Sequence, residues 1–178
     1  MTSDEELMLS VGKGDLNAFG KIVLRHQQSV WNIAYRSVGN KTEAEDIAQE
    51  AFLRLLDAAG RYRPTASFRT YLYRIVTRLC IDRVEKKQPL YTNKLPETFD
   101  SGRTAAENLI SVERSRKVSK ALDKLPPNQR MAIVLKYYEG LSYQDIAAAM
   151  EITEKAVERL LARGRASLEV SLGNLLEK

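Results

Sequence analysis

TEAEDIAQEAFLRLLDAAGRYRPTASFRTYLYRIVTRLCIDRVEKK, residues 42–87, decides how this chain is read. Its first half is an acidic helix. Thr42 is the expected N-cap, with Glu45 three residues on to complete a capping box. Ala44, Ile47, Ala48, Ala51 and Leu55 make one apolar stripe, and Glu43, Asp46, Gln49 and Glu50 fall away from it. Such a face is either a solvated surface or a dock for a basic partner helix. Paired carboxylates also raise acid–base or metal chemistry, but no His or Cys joins Asp46 and Glu50, so an enzyme is disfavoured. Gly60 to Ala66 reads as a loop, because Gly60 breaks the helix and Pro64 prevents its continuation. Ser67 can cap the basic helix that follows. There Phe68, Tyr71, Leu72, Ile75, Val76, Leu79 and Cys80 share an apolar face, and Thr70, Tyr73, Arg74, Thr77 and Ile81 lie opposite, with Arg78 at the flank. From Arg61 to Lys87 the chain holds eight cations and two anions. Arginines that neutralise phosphates, mixed with hydroxyls and aromatics able to stack on a base, suit nucleic acid.

Upstream, Asp4 to Val11 reads as a short helix with acids in its first turn. Leu16 to Val38 is an amphipathic helix ended by Gly39-Asn40. Its apolar positions include Ala18, Ile22, Val30, Ile33 and Ala34. His26 lies on the same stripe and, lacking an evident partner, reads as structural or surface. Downstream, Gln88 to about Ala106 has no period and contains Pro89, Pro96 and Gly102, the composition of a flexible or extended linker. A helix from Glu107 stops at Pro126-Pro127, which starts another running to Gly140.

Leu141 to Arg165 has the spacing of a helix-turn-helix. Ser142 and Asp145 form a capping box, Ile146, Ala147 and Met150 face inward, and Glu151-Ile152 makes the turn. Thr153 caps a second helix whose inner face is Val157, Leu160, Leu161, Gly164 and Leu168. Its outer face carries Lys155, Glu158, Arg159, Ala162 and Ala166, flanked by Arg163 and Arg165. Small alanines between cations let a helix approach a major groove while the arginines reach phosphates.

These patterns give an all-α chain of two helical domains, residues 1–88 and 107–178, joined by a linker over 89–106. The 178 residues are 44% hydrophobic with net charge +5, which suits soluble cores and is compatible with nucleic acid. A single cysteine, Cys80, reads as a small core residue and excludes an internal disulfide, which suits a reducing, cytoplasmic setting. One His and one Cys do not make a usual zinc site, so no metal or cofactor is expected. No apolar run has the length of a membrane span, and the N-terminus lacks a signal-peptide pattern.

Together the blocks resemble bacterial sigma factors of the extracytoplasmic-function (group IV, sigma-70) type, and the resemblance covers nearly the whole chain. GDLNAFGKIVLRHQQSVWNIAYR resembles the start of sigma region 2, and EAEDIAQEAFLRLL its polymerase-binding segment. RYRPTASFRTYLYRIVTRLCIDRVEKK resembles the segment that melts the promoter and reads its −10 element. ALDKLPPNQRMAIVLKYYEGLSYQDIAAAMEITEKAVERLLARGRASL resembles region 4, which reads the −35 element. The resemblance implies that Asp46, Gln49 and Glu50 bind the clamp helices of the polymerase β′ subunit. It implies that the loop with Arg61, Tyr62, Arg63 and Ser67 captures a flipped −10 base, with Arg74, Thr77 and Arg78 on the helix facing that element. It assigns −35 recognition to Thr153, Lys155, Glu158, Arg159 and Arg163. The implied partners are the RNA polymerase core, including its β flap, promoter DNA and an anti-sigma factor.

The chain departs from the family pattern in four places. Tyr71 stands where Trp is frequent, Arg78 where Asn is frequent, Glu151 where the turn usually has Gly, and Glu158 where a cation is common. A non-Gly residue at that turn has either to adopt positive φ or to shift the turn, and Glu158 can accept from cytosine N4. Two readings compete with a sigma factor: a stand-alone helix-turn-helix regulator, which has no need of the acidic helix, and a helical nucleic-acid enzyme, which needs a metal cluster.

Overall fold

A computed structural model of the chain describes residues 2–87 and 105–176, with side chains over 2–87 and 112–173. Four helices make the N-terminal part: α1 (Asp4–Val11), α2 (Leu16–Val38), α3 (Lys41–Ala58) and α4 (Phe68–Lys86). The C-terminal part comprises α5 (Ala105–Asp123), α6 (Pro127–Ile133), α7 (Tyr143–Met150) and α8 (Glu154–Leu176). No strand occurs among the described residues. The linker expected at 89–106 lies, up to residue 104, outside the described residues, as do the side chains of Leu109 and Ile110; α5 begins two residues before the expected Glu107.

Local chemistry sets the helix ends. Ser3 and Glu6 form a reciprocal capping box on α1. Asp15 caps α2 through the amides of Asn17 and Ala18, and Gly39 ends that helix at φ 68°. The start of α3 differs from expectation: Asn40, not Thr42, is the N-cap. The Asn40 backbone is extended and its side-chain oxygen accepts from the Glu43 amide at 3.0 Å, which leaves Thr42 inside the first turn. Glu43 is then free to pair with Lys87 at the end of α4. Ser67 caps α4 and Ser142 caps α7 as expected, by bonds to the amides of Thr70 and Asp145. Thr153 caps α8 through the Ala156 amide. Helix α6 widens after Ile133 into a π-type turn over Val134–Tyr138, where a single α-helix was expected to continue to Gly140.

The core follows the apolar stripes. Ile22, Val30, Ile33 and Ala34 of α2 meet Ala44, Ile47, Ala51 and Leu55 of α3, and Phe68, Leu72, Val76 and Cys80 of α4. Burial pushes the Cys80 thiol up to about 12, so it stays protonated and behaves as a small apolar group. In the C-terminal part, Ile146 and Ala147 of α7 and Val157 and Leu161 of α8 close over Met131, Ile133 and Leu135. Gly164 lets α8 approach α6, since a Cβ there would lie 2.9 Å from Cγ1 of Ile133.

The face of α4 expected to point outward is covered. Thr70, Tyr73 and Thr77 are buried. The reason is α7 and the turn before it, which pack across α4 and give partners to the Tyr73 and Thr70 hydroxyls, while that of Thr77 has none among the described residues. Tyr73 donates to Oε2 of Glu139 at 2.7 Å, and Arg69 reaches the same carboxylate at 3.1 Å and the Glu139 carbonyl at 2.6 Å. Thr70 donates to Asp145 at 3.1 Å. The Arg36 guanidinium lies 4.0 Å above the Tyr138 ring. Arg130, 7% exposed, donates to the carbonyls of Ser37 and Asp123 at 2.6 Å each and of Leu125 at 3.3 Å, joining α6 to the end of α2. Burial pushes the Arg130 guanidinium down, against the pull of nearby Asp123.

Two stability effects follow from these details. Glu151 adopts the left-handed conformation, φ 56° and ψ 42°, and its ion pair with Arg78 is exposed and long at 3.8 Å. Glu151→Gly is expected to raise unfolding stability in urea by about 0.5–1 kcal/mol, and Glu151→Val to lower it. Arg130→Met strands buried carbonyls and is expected to cost about 3 kcal/mol in the same assay.

Candidate nucleic-acid and protein interfaces

Three surfaces take shape on this frame. The first is the outer side of α3. Asp46 and Gln49 are exposed, one turn apart along the helix with Glu50 beside them. Glu50 is half-buried and accepts from Nε of Arg54 at 2.8 Å, so its charge is partly balanced within the helix. Next to this face runs a groove of about 560 Å³ between α2 and α3, lined by Val23, Gln27, Trp31, Ala48, Gln49 and Phe52 among others. Trp31 stacks on Tyr35 with centroids 4.9 Å apart and planes at 6°. Sequence reading placed only α3 here. The α2 contribution was legible as Val23, Gln27 and Trp31 at steps of four, a mixed stripe that an apolar count passes over.

The second surface is the loop before α4. Arg61, Arg63 and Ser67 are exposed, but Tyr62 is 2% exposed. Its ring packs edge-on against Tyr71 at 5.0 Å and Phe68 at 6.3 Å. Tyr62 was expected among the residues that meet an extruded base; as placed it is the floor of the loop, with exposed residues 63–67 above it. Burial, then the nearby charges of Glu5 and Asp4, push its phenol up, and its hydroxyl has no partner among the described residues. Arg63 folds back to donate to the Tyr62 carbonyl at 2.9 Å. Further along, Arg74 and Arg78 are exposed, and Arg74 lies 5.3 Å from the Tyr71 ring centre. Thr77 was expected to face DNA and is instead buried, one turn beyond Tyr73 on the face that α7 crosses.

Helix α1 braces this loop, a feature sequence reading missed. Glu5 accepts the Phe68 amide at 2.8 Å, and Asp4 binds Arg25 at 2.6 Å and Nε2 of His26 at 2.7 Å. His26 thus has a partner after all, and its ring lies 5.3 Å from that of Phe68. The acids of α1 read as helix-dipole partners in sequence, and only the fold shows that two of them reach other helices.

The third surface is α8. Thr153, Lys155, Glu158, Arg159 and Arg163 are all exposed, over a buried Val157, Leu161 and Gly164, as the spacing requires of a recognition helix. Arg165 turns away from this row and donates to the Tyr137 hydroxyl at 3.2 Å. There it borders an apolar pocket of about 320 Å³ formed with Val118, Leu122, Ile133, Leu168 and Leu172.

Known proteins carry the same arrangement. Residues 22–89 match the family model for sigma-70 region 2, and residues 115–168 match that for sigma-70 region 4. The ECF RNA polymerase sigma factor SigW of Bacillus subtilis is 35% identical, over 93% of this chain and 94% of its own. The chain belongs to the extracytoplasmic-function sigma factors. The ECF RNA polymerase sigma-E factor of Escherichia coli is 30% identical over 99% of this chain and 97% of its own. The solved structure of CnrH in complex with the cytosolic domain of CnrY superposes with a TM-score of 0.72 at 29% identity, covering 97% of this chain and 99% of that one. This sigma factor therefore directs RNA polymerase to promoters and promotes their opening. Among the described residues no His, Cys, Asp and Glu cluster could hold a metal, and no helix is long and apolar enough to cross a membrane.

The tether at Asp4 has a defined pH dependence. Burial raises the Asp4 carboxyl, but hydrogen bonds from Arg25 and His26 outweigh it and leave it below its ordinary value. A depressed carboxyl stabilises the fold above its unfolded pKa, roughly 4, and loses that contribution as pH falls through the folded value. Asp4→Asn is therefore expected to lower stability by up to about 1 kcal/mol at pH 7, with the difference shrinking as pH falls below the ordinary carboxylate range in pH-series denaturation.

Proposed function

We propose that this sigma factor works by binding alone, with its two DNA-facing helices and its acidic helix dividing the task. It performs no covalent chemistry and acts in the cytoplasm, where the polymerase is. Asp46, Gln49 and Glu50, with the groove lined by Trp31, dock on the β′ clamp helices, and the apolar pocket beside Arg165 suits the β flap. Helix α8 lies in the −35 major groove, with Arg159 and Arg163 reaching bases and phosphates and Glu158 able to accept from cytosine N4. The exposed residues of the 59–67 loop, over the Tyr62 floor, hold a base extruded from the −10 non-template strand. Unstacking a base costs a few kcal/mol, which binding in a pocket offsets. Opening is thus a population shift toward the strand-separated state. The observation that carries this reading is the row Lys155, Arg159 and Arg163 standing exposed on a helix whose opposite side is buried, in a chain matched by both sigma regions.

The compact arrangement adds a condition. Thr70, Tyr73 and Thr77 are covered by the second domain, so that side of α4 meets DNA only after Glu139 and Asp145 release it. The complex of CnrH with the cytosolic domain of CnrY supports a protein regulator for this chain as well, and an anti-sigma factor would cover the same faces.

Run-off transcription with core polymerase on genomic fragments tests the whole reading: start sites absent with core alone are expected with this chain present. Asp46→Ala with Glu50→Ala is expected to weaken core binding about tenfold or more and to leave −35 duplex binding unchanged, by titration of labelled core and labelled duplex. Arg159→Ala is expected to weaken −35 binding by about 1–3 kcal/mol with core affinity unchanged. Equal loss of both activities in either variant contradicts the assignment.

A further inference from the structure

Helix α1 touches the strand-capturing loop at both of its ends. At the start of the loop, Gly12 lies so close to the Ala59 carbonyl that a Cβ would stand 2.7 Å from its oxygen. At the far end, Oε1 of Glu5 accepts the Phe68 amide at 2.8 Å, the first amide of α4. Between these points Met8 is fully buried and Val11 nearly so. Seven helical steps separate Glu5 from Gly12, a rigid span of about 10 Å. The free end of this rod is itself held, since Asp4 is bonded to Arg25 and His26 of α2. One short helix thus fixes the distance between the ends of a loop whose middle, residues 63–67, is exposed.

We propose that α1 sets the shape of the loop for base capture, and that Glu5 is the positioning residue that does so. This rests on the proposed role of the loop. The segment lies ahead of the residues matched by the region 2 model, which begin at 22. Glu5 touches no DNA. It holds the amide of Phe68, whose ring packs against Tyr62, so the floor of the loop and the start of α4 stay in one register. A hydrogen bond to a charged acceptor is strong enough for its loss to change the occupancy of one loop shape about tenfold or more. The acidic face of α3 and the recognition helix α8 share no bond with Glu5.

The test uses holoenzyme reconstituted from core and the full chain, on a promoter found by run-off mapping. Open complex is read by 2-aminopurine fluorescence in the −10 element, and capture by affinity for a single-stranded −10 non-template oligonucleotide. Glu5→Ala is expected to reduce both about tenfold, with core affinity and −35 duplex affinity unchanged. Glu5→Gln, whose amide oxygen can accept the same N–H, is expected to stay close to the unsubstituted chain. Gly12→Val, which strains the other end with Glu5 intact, is expected to repeat the Glu5→Ala defect. Hydrogen exchange at the Phe68 amide is expected to speed up in Glu5→Ala. Faster exchange with unchanged opening, a parallel fall in core affinity, or failure of Glu5→Gln to rescue each overturns the proposal. If unsubstituted holoenzyme does not hold the single strand, the loop assignment itself is wrong, a result seen before any variant is made.

Discussion

Helix α4 is buried along more than half its circumference, and the rest of the molecule is arranged around that constraint. Phe68, Leu72, Val76 and Cys80 close against α2 and α3, and Tyr73, Thr77 and Thr70 continue the buried arc beneath the second domain. Arg74 and Arg78 remain on the narrow edge left to solvent. Hydroxyl groups buried this way need partners, because a stranded one costs about 1–3 kcal/mol. Glu139 and Asp145 supply them for Tyr73 and Thr70, and the Thr77 hydroxyl goes without one among the described residues. The end of the π-type turn and the first turn of α7 are thereby placed, and α8 follows from them.

Much of this was legible because period and chemistry agreed. The stripe Ala44, Ile47, Ala51 and Leu55 could only be one face of a helix, and it is buried as such. Val157 and Leu161 with the turn at Glu151 placed α8, down to the left-handed residue that glycine would favour. The failures have separate causes. Thr70, Tyr73 and Thr77 read as an outward polar face because sequence period carries no record of a second domain able to receive hydroxyls. Tyr62 was placed among base-capturing residues by family resemblance, which carries no record of how Phe68 and Tyr71, close in sequence, pack an aromatic cluster against its ring. Asn40 displaced Thr42 as the cap because either residue type can cap a helix, and Asn40, extended directly after the left-handed Gly39, is the one that accepts an amide of the first turn.

The two ends of the domain contact differ in kind. At Arg130 a guanidinium is buried and committed to three carbonyls, one of them across the contact at Ser37. Its removal leaves acceptors without donors, so that end behaves like a core. At Arg69, Thr70 and Tyr73 the bonds run to carboxylates that water can serve equally well once exposed. Each such bond is worth only about 0.5–1.5 kcal/mol net, or somewhat more when charged.

That difference bears on how one polypeptide can hold its DNA-facing helices together and still deliver them to DNA. Arg69 and Arg78 are matched by the carboxylates of Glu139 and Glu151. A carboxylate and a phosphate oxygen make the same demand on a guanidinium, and in a promoter the phosphates are many and fixed in a row. Exchanging one acceptor for another costs little, whereas opening an apolar face of equal area would cost the whole transfer free energy at about 25 cal/mol per Å². A polar seam over α4 lowers the cost of that step, while parting the domains also breaks the buried bond from Arg130 to Ser37 and the apolar packing that joins the two parts in one core.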